Sequence, residues 1–408
     1  MTSPSSPVVF TGRRMTILTV ILAALNAYAP TSMDIYLPAF PQIAEELHAT
    51  SAQVALTLAV NLVGIVIGQL LFGPMTDSLG RRRIVIITTA IAGLASLGVA
   101  LSPTIGILLV MRLIQGLAGG AGIAIARAIA ADVTSGKAAA RLFSIFISLT
   151  VTATIAAPII GGLLLALTGT WRSGFVFLFI VDVILAIAIA IYIPETHADH
   201  ARTVGGPASA GRSYLALFRD RVFMGYAITL VLAFSSLYAY LAESAFVLQE
   251  QFDLSANQYT LILAMNSAGL MIMGFINARL VKRWPVRGLL ILGLSVAVAS
   301  CLLLTIEVFA LERPLVPILV ALFVILAMRG MITPNATVLG VERSHTRGAA
   351  GAVLGAGTFF GGILITPFVG FTPGDPAVSM TVCMAVAALL ALIVGVTMTR
   401  ERKTPVRA

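Results

Sequence analysis

Gly73-Pro74-Met75-Thr76-Asp77-Ser78-Leu79-Gly80-Arg81-Arg82-Arg83 decides how the rest of this chain reads. It lies between two apolar runs, residues 52–72 and 84–102, each long and uncharged enough to cross a bilayer as a helix. Short loops rich in arginine stay on the cytoplasmic side of a membrane. The stretch therefore reads as a cytoplasmic hairpin between two spans, and it sets the sidedness of everything else.

Composition agrees. Of 408 residues 59% are hydrophobic and 11% charged, whereas about a quarter of residues are charged in soluble domains. The chain is expected to be a polytopic membrane protein. Its formal charge of +9 comes from Lys and Arg scattered through short loops, not gathered with aromatics on one surface, so no nucleic-acid partner is implied. The two cysteines, Cys301 and Cys383, sit inside apolar runs and suggest no disulfide framework. Residues 1–14 are polar and end in Arg13-Arg14, and the run after them is longer than a signal-peptide core, so it is kept as a span.

Windows of about 20 apolar residues place spans near 15–37, 52–74, 84–102, 105–128, 142–168, 173–194, 221–246, 258–280, 287–309, 314–340, 348–370 and 376–399. With twelve spans, both termini lie on one side. Counting loops and tails, 22 Lys and Arg fall on the side of Arg81–Arg83 and only Arg172 and Arg313 on the other, which puts both termini in the cytoplasm. The expected organisation is a cytoplasmic tail (1–14), a six-helix bundle (15–194), a cytoplasmic linker (195–220), a second six-helix bundle (221–399) and a cytoplasmic tail (400–408). The linker contains Gly205-Gly206-Pro207-Ala208-Ser209-Ala210-Gly211, a composition suited to flexible connection. After span 8 a worn copy of the opening loop recurs as Gly274, Asn277, Arg279, Lys282 and Arg283. Two sets of six spans with repeated loops suit a parallel-repeat transporter.

The spacing of Gly73, Asp77, Gly80, Arg81 and Arg82 resembles the loop between helices 2 and 3 of the major facilitator superfamily, with Ser78 where the family usually has a basic residue. The resemblance implies an all-α integral membrane fold of twelve helices in two six-helix bundles, with a substrate site between the halves near the midplane. Span 4, with Arg112, Gln115-Gly116 and a terminal Asp132, is similar to the same family. The family implies a cytoplasmic latch of Gly73, Asp77, Gly80, Arg81 or Arg82, and Asp132, against a helix opened here by Gly348. In that latch Asp77 is expected near a helix N-terminus, where the dipole favours it, with the arginines bridging it to Asp132. Span 5 carries Ala153-x-x-x-Ala157-Pro158-x-x-Gly161-Gly162, which resembles the antiporter motif of the family with alanines in place of two glycines. Small residues permit close helix approach, and the proline frees a carbonyl and bends the helix.

Ionisable side chains inside a membrane are costly and mark functional sites. Asp34 lies near the outer end of span 1 and Arg112 in the outer half of span 4. At 1.5 Å rise per residue they sit roughly 12 Å and 6 Å above their span centres and can share one polar cavity. Such a carboxylate beside an arginine suits a proton carrier whose balance shifts when substrate or water enters; otherwise Asp34 simply ends its span at the interface. Glu243 and Arg329 differ in depth by on the order of 20 Å, so they read as cavity-lining charges or single contacts, not a pair, and Glu243 equally as a residue facing the outer solvent. Asp182, midway along span 6, reads first as a polar interhelical contact and second as another titrating site.

The run Met33-Asp34-Ile35-Tyr36-Leu37-Pro38 with Pro41-x-Ile43-Ala44, together with Ala126-Arg127-Ala128-Ile129-Ala130-Ala131-Asp132 and Pro334-Asn335-Ala336-Thr337, is similar to the bicyclomycin-resistance (Bcr/CflA) group of drug:proton antiporters. The resemblance implies export of bulky apolar or cationic molecules in exchange for protons by alternating access, with Asp34 as carrier and Arg112 as its coupling partner. Asn26 stands where some related exporters place a further acid. The implied cavity is lined by spans 1, 4, 7 and 10, with candidate contacts Asn26, Tyr36, Tyr238, Tyr240, Glu243, Met328, Arg329, Met331 and Asn335. Aromatic and Met side chains there suit substrates of variable shape. Each also fits ordinary helix packing.

Two other readings stand beside this one. The first is a proton-coupled transporter of one metabolite; the second is an integral-membrane sensor or enzyme. The four histidines, His48, His197, His200 and His345, all fall in loops and suggest no metal cluster. No glycine loop followed by a lysine cradles phosphate, so the proton gradient, rather than ATP or another cofactor, is the expected energy source. The expected partners are a small-molecule substrate, protons and the lipid bilayer, with a single chain supplying both halves of a functional monomer in the inner (plasma) membrane.

Overall fold

A computed structural model describes residues 12–134, 136–196, 215–311, 313–344, 347–369 and 375–399. The described residues contain no β-strand. Twelve helical segments among them are long and apolar enough to cross a membrane. The helices are α1 Gly12–Asp34, α2 Phe40–Glu46, α3 Ser51–Leu79, α4 Arg81–Ala100, α5 Ile105–Val133, α6 Gly136–Thr168, α7 Arg172–Tyr192, α8 Arg221–Phe246, α9 Ala256–Leu280, α10 Val286–Phe309, α11 Leu315–Arg343, α12 Arg347–Val369 and α13 Pro376–Thr397. α2 is a short helix that extends the first membrane segment.

Two places depart from the expected spans. The opening stretch is not a hairpin over 73–83: α3 continues to Leu79 and α4 begins at Arg81, so Gly80 alone makes the turn. Its φ of +88° is open to glycine and strained for other residues. Span 1, expected to run unbroken to residue 37, ends at Asp34. Pro38 lacks the N–H that would have bonded to the Asp34 carbonyl, so the helix cannot propagate; the chain makes a 3₁₀ turn at Leu37–Ala39 and re-enters helix at Phe40. Asp34 therefore occupies a helix break.

The chain forms two compact units. One takes Met1–Val204 and Ala245–Ala264, the other Gly205–Ser244 and Met265–Ala408. In the first, Leu18, Leu22, Leu25, Ile125, Ile129, Phe146 and Ile189 form an apolar core. In the second, Phe223, Leu230, Leu290, Leu294, Ile332 and Leu354 do the same. Large apolar side chains such as Leu163, Leu167, Ile184, Ile191, Leu302 and Val316 remain exposed, as a surface facing lipid requires.

Close helix approach sets the first unit's geometry. Gly64 and Gly68 of α3 face the backbone of Leu113 and Leu117, while Gly116 and Gly120 of α5 face the backbone of Asn61 and Ile65. A Cβ at any of these four positions would overlap a carbonyl oxygen. Two small-xxx-small pairs thus interlock, and shape complementarity takes the place of a hydrophobic driving force that lipid does not supply. The second unit repeats the device at Gly330 of α11, which lies against the backbone of Leu270 and Gly274 of α9.

Candidate functional site: a buried arginine beside the broken first helix

The α3–α5 contact carries Arg112 into the interior of the first unit. Its side chain is fully buried. Nη1 donates to the Ser32 carbonyl at 3.0 Å and to Gln115 Oε1 at 2.6 Å, and Nη2 donates to the Tyr36 hydroxyl at 3.2 Å. The guanidinium lies 4.5 Å from the Tyr36 ring centroid and 5.8 Å from that of Phe175. Ring faces and dipoles stabilise the cation without neutralising it. Asn61 Nδ2 donates to the Arg112 carbonyl at 3.0 Å, pinning the backbone from α3.

Asp34 is buried at the end of α1. Its carboxylate makes no hydrogen bond or ion pair with any described residue, Arg112 included. Arg112 instead reaches the α1 break through the Ser32 carbonyl and the Tyr36 hydroxyl, the residues that flank Asp34. Tyr36 also shares a 2.8 Å hydrogen bond with Thr57. Gly161 of α6 faces the Ile35 carbonyl so closely that a Cβ there would overlap it, and one on Gly162 would come within 2.5 Å of Thr260 Oγ1. The motif on α6, with Ala157 buried and Pro158 inside the helix, thus places backbone directly against the break beside Asp34. That apposition joins two motifs more than a hundred residues apart.

The remaining expected cavity residues divide between the units. In the first, Asn26 donates to Thr150 Oγ1 at 2.9 Å and accepts from Arg127 Nε at 3.3 Å, tying α1 to α6 and α5. In the second, Tyr238, Tyr240, Glu243, Met328, Arg329, Met331 and Asn335 are all buried. Tyr240 accepts from Asn266 at 3.0 Å, and Asn335 exchanges hydrogen bonds with Asn277 at 2.8 and 3.2 Å. Asn277, the counterpart of Asp77 in the worn loop, thus ties α9 to α11. Arg329 lies 3.9 Å from the Phe234 ring centroid and borders a cavity of about 20 Å³ with Ser236, Leu294 and Ile332. That volume suits one water, far below a drug-sized site.

At the α3–α4 turn, Arg81 clamps Asp132 at the end of α5, with Nε 2.6 Å from Oδ2 and Nη2 3.2 Å from Oδ1. Glu195, an acid that no motif in the sequence marks, also belongs to this turn. Its two carboxylate oxygens accept the backbone N–H groups of Arg81 and Arg82 at 2.9 and 3.2 Å, capping the N-terminus of α4. Thr196 adds a 3.2 Å bond to Asp132 Oδ2, and Arg82 donates to the Ala190 carbonyl at 2.7 Å. Asp77, expected near a helix N-terminus, lies in the last turn of α3 just ahead of Gly80, the N-cap of α4. Gly80, the N-cap residue, has no side chain to cap α4, and Glu195 supplies the anion at its N-terminus. The side chains of Gly73, Asp77 and Gly348 lie outside the described residues, as do His197, His200 and His345.

Twelve membrane-length helices, a buried arginine at a broken helix and a tight turn ending in an arginine–aspartate clamp define a multi-pass membrane transporter rather than an enzyme. The chain belongs to the Major Facilitator Superfamily, which it matches over residues 18–367. It is 32% identical over 395 residues, covering 96% of this chain and 98% of the relative, to the uncharacterized MFS-type transporter YdgK of Bacillus subtilis (strain 168). It is 25% identical to a bicyclomycin resistance protein homolog of Haemophilus influenzae, covering 92% and 94% of the two chains. Among solved structures it superposes on a D-xylose-proton symporter with a TM-score of 0.75 at 16% identity, covering 93% and 97%; that likeness concerns the fold alone.

Proposed function

We propose that this transporter exports drug-like small molecules, bulky and apolar or cationic, in exchange for protons by alternating access. It works in the inner membrane as a monomer with both termini in the cytoplasm. The observation that carries the reading is the fully buried Arg112, held by neutral groups at the helix break that contains Asp34. A buried cation held only by neutral groups, at the same helix break as a carboxylate without hydrogen-bond donors, is free to exchange one set of partners for another. When Asp34 loses its proton, its charge draws on Arg112 and competes with the Ser32 and Tyr36 contacts. When Asp34 is protonated, those contacts hold Arg112. Because Ser32, Asp34 and Tyr36 share one broken helix end, packed against Gly161, that exchange moves the α1 break relative to α5 and α6.

Similarity to a bicyclomycin resistance protein homolog supports a drug as substrate, and the Pro158-x-x-Gly161-Gly162 motif supports exchange. The test is drug accumulation and growth inhibition in cells lacking their own exporters, with and without this chain, across a panel that includes bicyclomycin. Lower accumulation that an uncoupler abolishes supports the reading. Unchanged accumulation of every compound would move it to a transporter of a single metabolite.

A further inference from the structure

Asp182 takes no part in the exchange described above, yet it is buried to 1% exposure in the middle of α7. Its Oδ2 accepts from the Ser96 hydroxyl of α4 at 3.2 Å, while Oδ1 has no hydrogen-bond partner. Tyr28 of α1 lies close enough to this carboxyl to sense its charge, and its hydroxyl bonds to Ser96. Gly93, one turn before Ser96, makes room for it: a Cβ there would sit 3.1 Å from Asp182 Cβ. Among the described residues, Tyr28 is the titratable group facing Asp182 from the helices packed on α7; α4 offers Ser96 and Gly93. Among the described residues no basic side chain compensates the carboxyl.

From Ser96 the contacts run on without a break. Ser96 shares a 3.0 Å hydrogen bond with Tyr28 and accepts from Gln115 Nε2 at 2.8 Å. Gln115 Nε2 also lies 3.3 Å from the Tyr28 hydroxyl, and its Oε1 receives Arg112 Nη1 at 2.6 Å. Four helices, α7, α4, α1 and α5, thus contribute one buried chain from Asp182 to Arg112.

We propose that Asp182 is a second proton-exchange site whose charge state is passed through Ser96, Tyr28 and Gln115 to Arg112; the coupling role of Arg112 rests on the function proposed above. Ser96 has two acceptors for its single proton, Asp182 Oδ2 at 3.2 Å and the Ala92 carbonyl at 2.9 Å, and this gives the chain two settings. With Asp182 ionised, Ser96 donates to Oδ2 and keeps lone pairs for Gln115 and Tyr28. With Asp182 protonated, its O–H donates to Ser96, the Ser96 proton turns to Ala92, and one of those lone pairs is taken. A hydroxyl oxygen accepts at most two bonds, so Tyr28 or Gln115 must yield. Gln115 holds Arg112 by the short amide bond, so the change reaches the guanidinium. The chemical step is a proton transfer: the carboxyl O–H bond breaks, the electron pair stays on Asp182 and the proton passes to water.

The test is pH-difference infrared spectroscopy on the full chain in lipid nanodiscs without any drug, so its failure is distinct from failure of the export reading. The native protein is expected to show a protonated-carboxyl C=O band that titrates and is lost in Asp182→Asn but kept in Asp34→Asn. Arginine guanidinium bands should change over the same pH range and lose that change in Gln115→Leu. Ser96→Ala should displace the midpoint of the carboxyl band by about one pH unit, a tenfold change in proton affinity, because one hydrogen bond to a charged group is removed. A purely structural Asp182 predicts identical titrating bands in the native chain, Asp182→Asn and Ser96→Ala, and that result overturns the proposal. If Asp182→Asn does not accumulate, Ser96→Ala against native decides alone: a displaced midpoint supports the site, and coincident curves reject it.

Discussion

Gly161→Ala adds a single methyl group at the point where α6 meets the broken end of α1. A Cβ there overlaps the Ile35 carbonyl oxygen. The obstacle is backbone, so no rotamer change relieves it, and the helices must part by on the order of an ångström. Overpacking of this kind costs about 1–3 kcal/mol. Against it stands the roughly 0.4–1 kcal/mol that Gly→Ala returns in a helix by restricting the unfolded chain. Steric overlap wins, leaving a net loss of about 1–2 kcal/mol. Gly106→Ala is the matched control, since Gly106 lies in the first turn of α5 with nothing within 4 Å of its added Cβ; it should be neutral or slightly stabilising. Thermal unfolding of both purified variants in detergent reads the difference directly. Because Ile35 adjoins Asp34, Gly161→Ala should also lower drug export on the order of tenfold or more, as ångström misplacements at functional centres do, while Gly106→Ala exports like the native chain. Gly161→Ala unfolding and exporting like Gly106→Ala would refute the claim that α6 seats on the α1 break.

Other contacts make separate predictions. Tyr36→Phe keeps the ring under Arg112 but removes the hydroxyl shared with Thr57 and Arg112; losing a hydrogen bond to a charged group costs about 1.5–3 kcal/mol, so export rate should fall by about tenfold or more while the protein level in the membrane is maintained. Glu195→Gln removes the charge that caps α4, and hydrogen exchange at the amides of Arg81 and Arg82 should rise about fivefold; unchanged exchange would argue that water caps that helix equally well. Asn335→Leu strands Asn277 in the interior of the second unit and should cost about 1–3 kcal/mol. The double variant with Asn277→Leu should unfold at a temperature no lower than the single one, and strictly additive losses would show the two amides to be independent.

Much of this architecture is legible in the sequence because bilayer thickness and loop charge act on contiguous residues. Hydropathy locates all twelve spans, and the Gly73–Arg83 stretch marks its turn even though the turn shrinks to Gly80. Arg112 and Asp132 stand out as charges at the wrong depth or at a helix end. What stays hidden is tertiary. Glu195 reads as an ordinary acid after Pro194 until α7 returns it to the start of α4. Ser96, Gln115 and Tyr28 look like scattered polar residues, and only the meeting of α1, α4, α5 and α7 lines them up between Asp182 and Arg112. The Gly64/Gly68 and Gly116/Gly120 pairs carried a readable small-xxx-small signal, yet their partnership depends on which helices pack together. The end of α1 at Asp34 was signalled by Pro38, whose missing N–H outweighs the apolar run around it.

Proton release from acid-loaded inside-out vesicles on adding a drug panel, compared between the native chain and Asp34→Asn, bears most directly on the claim that Asp34 carries the exchanged proton. Drug-induced proton efflux in the native chain, abolished in Asp34→Asn at equal membrane levels, is the predicted result. Efflux of equal size in both would contradict it and remove Asp34 from the mechanism.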